Sequence, residues 1–203
     1  MAANLAGPEG APRPKRADLT RRIVELVDDD VLLVSGIGNA TFDLRSIAGD
    51  RECNFYMLGS MGQAISIGLG LALAQPERSV VVMEGEGSVL LNMSALATIG
   101  MVAPPNLTLV IWDNEQWQIT GGQRLATAAT CDLAAVARAC GIQSSESPAN
   151  ADDFIQSLRY ALDAPGPHAL VTKIASTPGL SPQRDDPVAI KLGFMAALGL
   201  TPD

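Results

Sequence analysis

From residue 31 onward, short runs of apolar, largely β-branched residues alternate with longer segments of helical periodicity, and glycine-rich turns join the two. No other feature constrains the fold as tightly. Residues 31–34, 55–58, 79–83, 107–112 and 168–174 read as strands. Helical spacing is seen over 61–74, 89–102, 134–140, 152–162 and 188–198, through Phe42, Leu44 and Ile47, and from Asp18, a capping residue, to near Asp28. Strands that alternate with helices pair in parallel, because each helix supplies the crossover that a parallel pair requires. The predicted fold is α/β: a doubly wound parallel sheet with helices on both faces.

With 203 residues, 47% of them hydrophobic, the chain can bury one substantial core, and no internal repeat or second compositional zone marks a boundary. A single domain is expected over residues 17–203. Residues 1–16, rich in Ala, Gly and Pro, read as a disordered tail. They contain no apolar stretch of the kind that directs export, and no later run is long enough to cross a bilayer, so a cytoplasmic location is expected. The formal net charge of −8 argues against nucleic acid or an anionic membrane as partner. An anionic ligand must then be held by main-chain N–H groups, helix N-termini and a metal ion. Cys53, Cys131 and Cys140 lack metal-binding spacing and read as packed thiols, and His168 reads as a structural residue within a strand. Trp112 and Trp117 are expected in packing or at an interface.

In such a sheet ligands bind beyond the carboxyl ends of the strands, where strand order reverses. Three loops in those positions carry candidate chemistry. Gly59-Ser60-Met61-Gly62 opens a helix, and its small residues suit either a ligand or close helix-to-sheet packing. Glu84-Gly85-Glu86-Gly87-Ser88 joins a strand to a helix, so glycine permits close approach of the backbone while the helix N-terminus favours an anion. Alone, such a segment is more commonly an ordinary glycine turn with solvated carboxylates. The third loop, residues 113–123, places Asp113, Asn114, Gln116 and Gln118 at a strand end before Gly121 and Gly122. A hard divalent cation takes about six oxygen ligands, commonly one or two from protein carboxylates and others from phosphates. Glu86 and Asn114, on adjacent loops, could share one.

Gly85-Glu86-Gly87-Ser88 and Asp113-Asn114, with thirty residues from Gly85 to Asn114, together resemble the diphosphate-binding signature of thiamine diphosphate (ThDP) enzymes. With Gly59-Ser60-Met61-Gly62 and Thr120-Gly121-Gly122-Gln123, the chain is similar to the branch of that family formed by sulfopyruvate decarboxylase β subunits and the C-terminal part of phosphonopyruvate decarboxylases. The resemblance runs from Asp18 to Leu198. It implies ThDP and Mg²⁺ as cofactors, with Glu86, Asn114 and the Gln116 carbonyl as metal ligands. Glu86 stands where the family has an aspartate.

By the same resemblance the Gly59 carbonyl, beside Ser60, meets the cofactor's amino group, and Met61 is the wedge beneath it. Gly85 and Gly87 flank the metal ligand, while Gly38, Asn39 and Ser88 are candidates for the diphosphate. Gln118, Ile119 and Thr120 face the substrate. Gly193-Phe194 falls where relatives often carry Arg-Phe. The implied activity is decarboxylation of an anionic 3-substituted pyruvate, such as sulfopyruvate or phosphonopyruvate, to an aldehyde and CO₂. A carboligase of the acetohydroxyacid synthase type and a non-catalytic ThDP-fold subunit are the alternatives. The activating glutamate of the family lies on a pyrimidine-binding domain. An α subunit is therefore expected to supply it, in a hetero-oligomer built on dimers.

Overall fold

The computed structural model describes residues 12–49, 51–180 and 186–201. Their elements run α1 (Arg16–Leu26), β1 (Leu32–Ser35), α2 (Asn39–Ala48), β2 (Asn54–Tyr56), α3 (Ala64–Ala74), β3 (Val80–Gly85), α4 (Glu86–Leu91), α5 (Ser94–Val102) and β4 (Leu107–Asp113). There follow β5 (Gln116–Trp117), β6 (Gln123–Arg124), α6 (Leu133–Ala139), β7 (Ser144–Glu146), α7 (Ala151–Asp163), β8 (His168–Lys173) and α8 (Pro187–Ala197). Six strands form one sheet in the order β2-β1-β3-β4-β8-β7, every pair parallel. β5 and β6 make a separate antiparallel pair.

Period-two alternation in the central strands sorts their side chains between two cores. Leu32, Val34, Val80, Val82, Leu109 and Ile111 pack on one face, against Ile65 of α3, Val89 of α4, Leu96 of α5 and Ala137 of α6. Leu33, Val81, Met83, Val110 and Trp112 pack on the other, against Ile23 of α1, Leu44 of α2 and Phe154 of α7. Because both faces are covered, the strands read as unbroken apolar runs. A fully buried Val, Leu or Ile contributes about 1.5–3 kcal/mol, so these two layers fix the register of the central strands.

β1 lies between β2 and β3, so the chain leaves it toward one side of the sheet and returns on the other. α2, which follows β1, packs in one core, and α4, which follows β3, in the opposite one. A crevice therefore opens over the carboxyl ends of β1 and β3, at the switch point.

Four details depart from the sequence reading. The helix expected over 89–102 is two, broken after Leu91, where the Asn92 side chain donates to the Gly62 carbonyl at 2.7 Å and to Ser66 Oγ at 3.2 Å. β2 stops at Tyr56 because its neighbour β1 ends at the paired Ser35. The short edge strand β7 and the β5–β6 pair were not anticipated.

The tail boundary also moves. Arg16 opens α1 and is buried, Lys15 bridges Ala175, and Arg13 pairs with Glu115 at 2.9 Å, so residues 12–16 are tied to the fold. Residues 1–11 lie outside the described residues. No helix among those described is long and apolar enough to cross a membrane.

Candidate functional site

The crevice at the switch point is lined by Asn39, Met61, Gly85, Glu86, Gly87, Ser88, Asn114, Gln116, Gln118, Ile119 and Thr120. Three loops distant in sequence thus meet in one cleft. Gly38 lies just behind this lining. It has φ +77°, and a Cβ there would come within 2.5 Å of Ile119 Cδ1. Gly59 and Ser60 are exposed beside Met61, outside the lining.

The floor of the cleft is set by an abrupt change from strand to helix. β3 ends at Gly85 and α4 starts at Glu86, so Glu86 occupies the first helical position and turns inward, only 4% exposed. The Gln116 main-chain N–H donates both to Glu86 Oε1, at 3.2 Å, and to Asn114 Oδ1, at 3.1 Å. One amide hydrogen therefore gathers the carboxylate of one loop and the carboxamide oxygen of the next. The Asn114 amide group is turned the other way, donating to Gln118 Oε1 at 3.0 Å, and Asn39 donates to that same oxygen at 3.2 Å.

Burial pushes the Glu86 carboxyl up to about 7, and the charge of Asp113 adds to the effect against hydrogen bonds from main-chain N–H groups that pull it down. Burial also pushes Glu84 up to about 7, although Gly85 N–H donates to its Oε1 at 3.0 Å. Of these two carboxyls only Glu86 lines the cleft, and a buried carboxyl near neutrality there suits a divalent cation, whose charge favours the ionised form that burial opposes. The converging donors are oxygens, which fit a hard cation such as Mg²⁺ better than a softer one.

The third loop is braced from below. Lys173 Nζ lies 2.7 Å from Asp113 Oδ2 and 2.9 Å from Glu115 Oε1, and it donates to the Thr127 carbonyl at 3.0 Å. The salt bridges to Asp113 and Glu115 raise the Lys173 pKa against the opposing effect of burial. Asp113 Oδ1 accepts from Glu115 N–H at 3.1 Å, closing a tight turn in which Glu115 adopts φ +67°. Trp117 packs against Gly87, where a Cβ would stand 2.4 Å from the indole ring, so only glycine allows the third loop to rest on the second.

Arg16, Ile37, Ala40, Trp112, Trp117 and Ile174 complete the lining and were not among the expected site residues. Trp112 packs on Phe154 as expected, with ring centroids 5.6 Å apart, and it also borders the cleft. No local motif marks Arg16, which ends a stretch of tail-like composition. His168 has both ring nitrogens bonded, to Ser144 Oγ at 2.7 Å and the Ala164 carbonyl at 3.0 Å, and is structural.

A helix-flanked parallel sheet with its cleft at the switch point defines the class: a doubly wound α/β ligand-binding domain. Residues 36–172 match the family described as thiamine pyrophosphate enzyme, C-terminal TPP binding domain. The chain belongs to that family. It is 39% identical to the sulfopyruvate decarboxylase subunit beta of Methanocaldococcus jannaschii, over 91% of this chain and 97% of that one. It is 38% identical to the phosphonopyruvate decarboxylase of Streptomyces viridochromogenes, over 95% of this chain and 48% of the relative, so it spans about half of that protein. Among solved structures, benzoylformate decarboxylase from Polynucleobacter necessarius superposes with a TM-score of 0.64 at 16% identity, over 87% of this chain and 34% of that one, and shows the same fold.

Proposed function

We propose that this chain is the diphosphate-binding subunit of a ThDP- and Mg²⁺-dependent decarboxylase that converts an anionic 3-substituted pyruvate into an aldehyde and CO₂. The observation that carries the reading is the meeting of Glu86 Oε1 and Asn114 Oδ1 on the Gln116 N–H at the switch point. Glu86 and Asn114, with the Gln116 carbonyl, would hold the metal; Asn39 and Ser88 would hold the diphosphate. Bound ThDP supplies the nucleophilic carbon and the electron sink that loss of CO₂ requires. This chain binds and orients the cofactor, and Gln118 and Thr120, beside the metal ligands, face the 2-oxoacid.

The names of the similar proteins guide the rest. A relative called subunit beta supports an α partner that carries the activating glutamate, in a hetero-oligomer. The test is to assay the copurified pair, with ThDP and Mg²⁺, on sulfopyruvate, phosphonopyruvate and pyruvate. The expected result is CO₂ and aldehyde from an anionic 3-substituted acid, and negligible turnover by this chain alone. Products joined by a new carbon–carbon bond support the carboligase alternative. Absence of any ThDP-dependent thermal stabilisation supports a non-catalytic subunit, since a ligand at a hundred times its Kd adds about 2.7 kcal/mol.

A further inference from the structure

Arg16 is the only lysine or arginine among the described residues that line the cleft. It is 4% exposed, and its guanidinium is fixed along one edge, Nε donating to Asp43 Oδ2 at 2.7 Å and Nη2 to the Thr177 carbonyl at 3.2 Å. Nη1 has no acceptor among the described residues. Asp43 is fully buried and also accepts from Leu180 N–H at 2.8 Å. A buried ion pair of this kind adds little stability over apolar residues of similar size, because desolvation offsets the attraction. Its position on the wall of a ligand cleft points to recognition instead.

Two further donors share that wall. Trp112 is 2% exposed, and its indole N–H has no acceptor among the described residues. In α2, which starts at Asn39, the bond from Phe42 N–H to the Gly38 carbonyl, at 3.0 Å, spans the first turn. The N–H groups ahead of Phe42 have no earlier helical carbonyl to reach. Guanidinium, indole and main-chain N–H groups can only donate, so together they suit a ligand that only accepts.

We infer that Arg16, the Trp112 indole N–H and the first turn of α2 form a subsite for a tetrahedral oxyanion of the phosphate class. The inference rests on the proposed function and deepens it. The oxyanion is the terminal phosphate of the cofactor or the acidic substituent of the substrate, and the two sources can be told apart.

Calorimetric titration of the full chain with inorganic pyrophosphate and Mg²⁺ provides the test. Arg16→Gln alone would strand the Asp43 carboxylate, so it is combined with Asp43→Asn and compared with Asp43→Asn alone. Trp112→Phe removes one donor and keeps the ring. If the oxyanion is the cofactor's, the double variant binds pyrophosphate about thirtyfold more weakly, Trp112→Phe about fivefold more weakly, and Asp43→Asn within threefold of wild type. If it is the substrate's, pyrophosphate affinity holds, and sulfoacetate titrated into the chain saturated with ThDP and Mg²⁺ shows those losses instead. Unchanged affinity for both anions in the double variant and in Trp112→Phe overturns the subsite and leaves the proposed function standing. Wild-type chain that binds neither pyrophosphate nor ThDP overturns both.

Discussion

Glu84, Glu86, Ser88 and Asp113, on and beneath the floor of the cleft, are between 2 and 5% exposed, whereas Met61 and Ile119 on its rim are 38% and 65% exposed. The floor is held from within this chain: Gln116 N–H gathers Glu86 and Asn114, and Lys173 clamps Asp113. The rim presents apolar side chains to open space. On the proposed function, a preorganised floor would let this chain recognise metal and diphosphate by itself. An apolar rim implies that the reaction chamber closes against another surface, in the proposed complex that of the partner.

The largest expected effect lies on the floor. Glu86→Gln and Asn114→Ala each lower Mg²⁺-dependent ThDP affinity at least about a hundredfold, since the first removes the anionic charge and the second the carboxamide oxygen of the proposed metal site. Glu86→Asp restores the family's residue at the same helical position and retains binding. Calorimetry checks all three. Losses under fivefold in Glu86→Gln and Asn114→Ala would erase the distinction between floor and rim.

What the sequence disclosed follows the same division. The sheet was legible because each central strand is a compact apolar run, and the floor because its chemistry is written in contiguous residues, 84–88 and 113–116. Features fixed by distant partners were not legible. Arg16 sits among residues whose composition suggests a tail, yet its partners are Asp43 and Thr177, 27 and 161 positions away. The break between α4 and α5 depends on Asn92 finding Gly62 and Ser66 in another loop. β7, Ser144-Ser145-Glu146, has no strand-like composition and takes its order from the ladder to β8.

Beneath the floor, Glu84 contributes an effect of intermediate size. Its folded pKa, about 7, exceeds the ordinary glutamate value of 4.5, so the folded protein retains a proton that the unfolded chain has lost over that interval. Stability from this group is therefore complete below about pH 4.5 and is lost as pH rises through 7. Glu84→Gln keeps an acceptor for Gly85 N–H and removes the charge. Without metal, at pH 8, the variant should gain about 2 kcal/mol over wild type. At pH 5 the gain should nearly vanish. Denaturant unfolding at both pH values checks this, and an equal gain at each would show that charge burial is not the cause.

The rim gives the smallest effect and separates the two regions most sharply. Ile119 is 65% exposed, and its Cδ1 covers Gly38. It has no polar atom to offer a metal or a phosphate. Ile119→Ala should therefore leave the affinity for Mg²⁺ and pyrophosphate within twofold of wild type. If the proposed partner covers Ile119, the same truncation removes apolar contact area worth about 1 kcal/mol, so association with the partner should weaken about fivefold. Turnover at limiting partner concentration should fall in step and recover when the partner is in excess. If excess partner does not restore the rate, Ile119 acts on the substrate directly, and the rim belongs to the chemistry as much as the floor does.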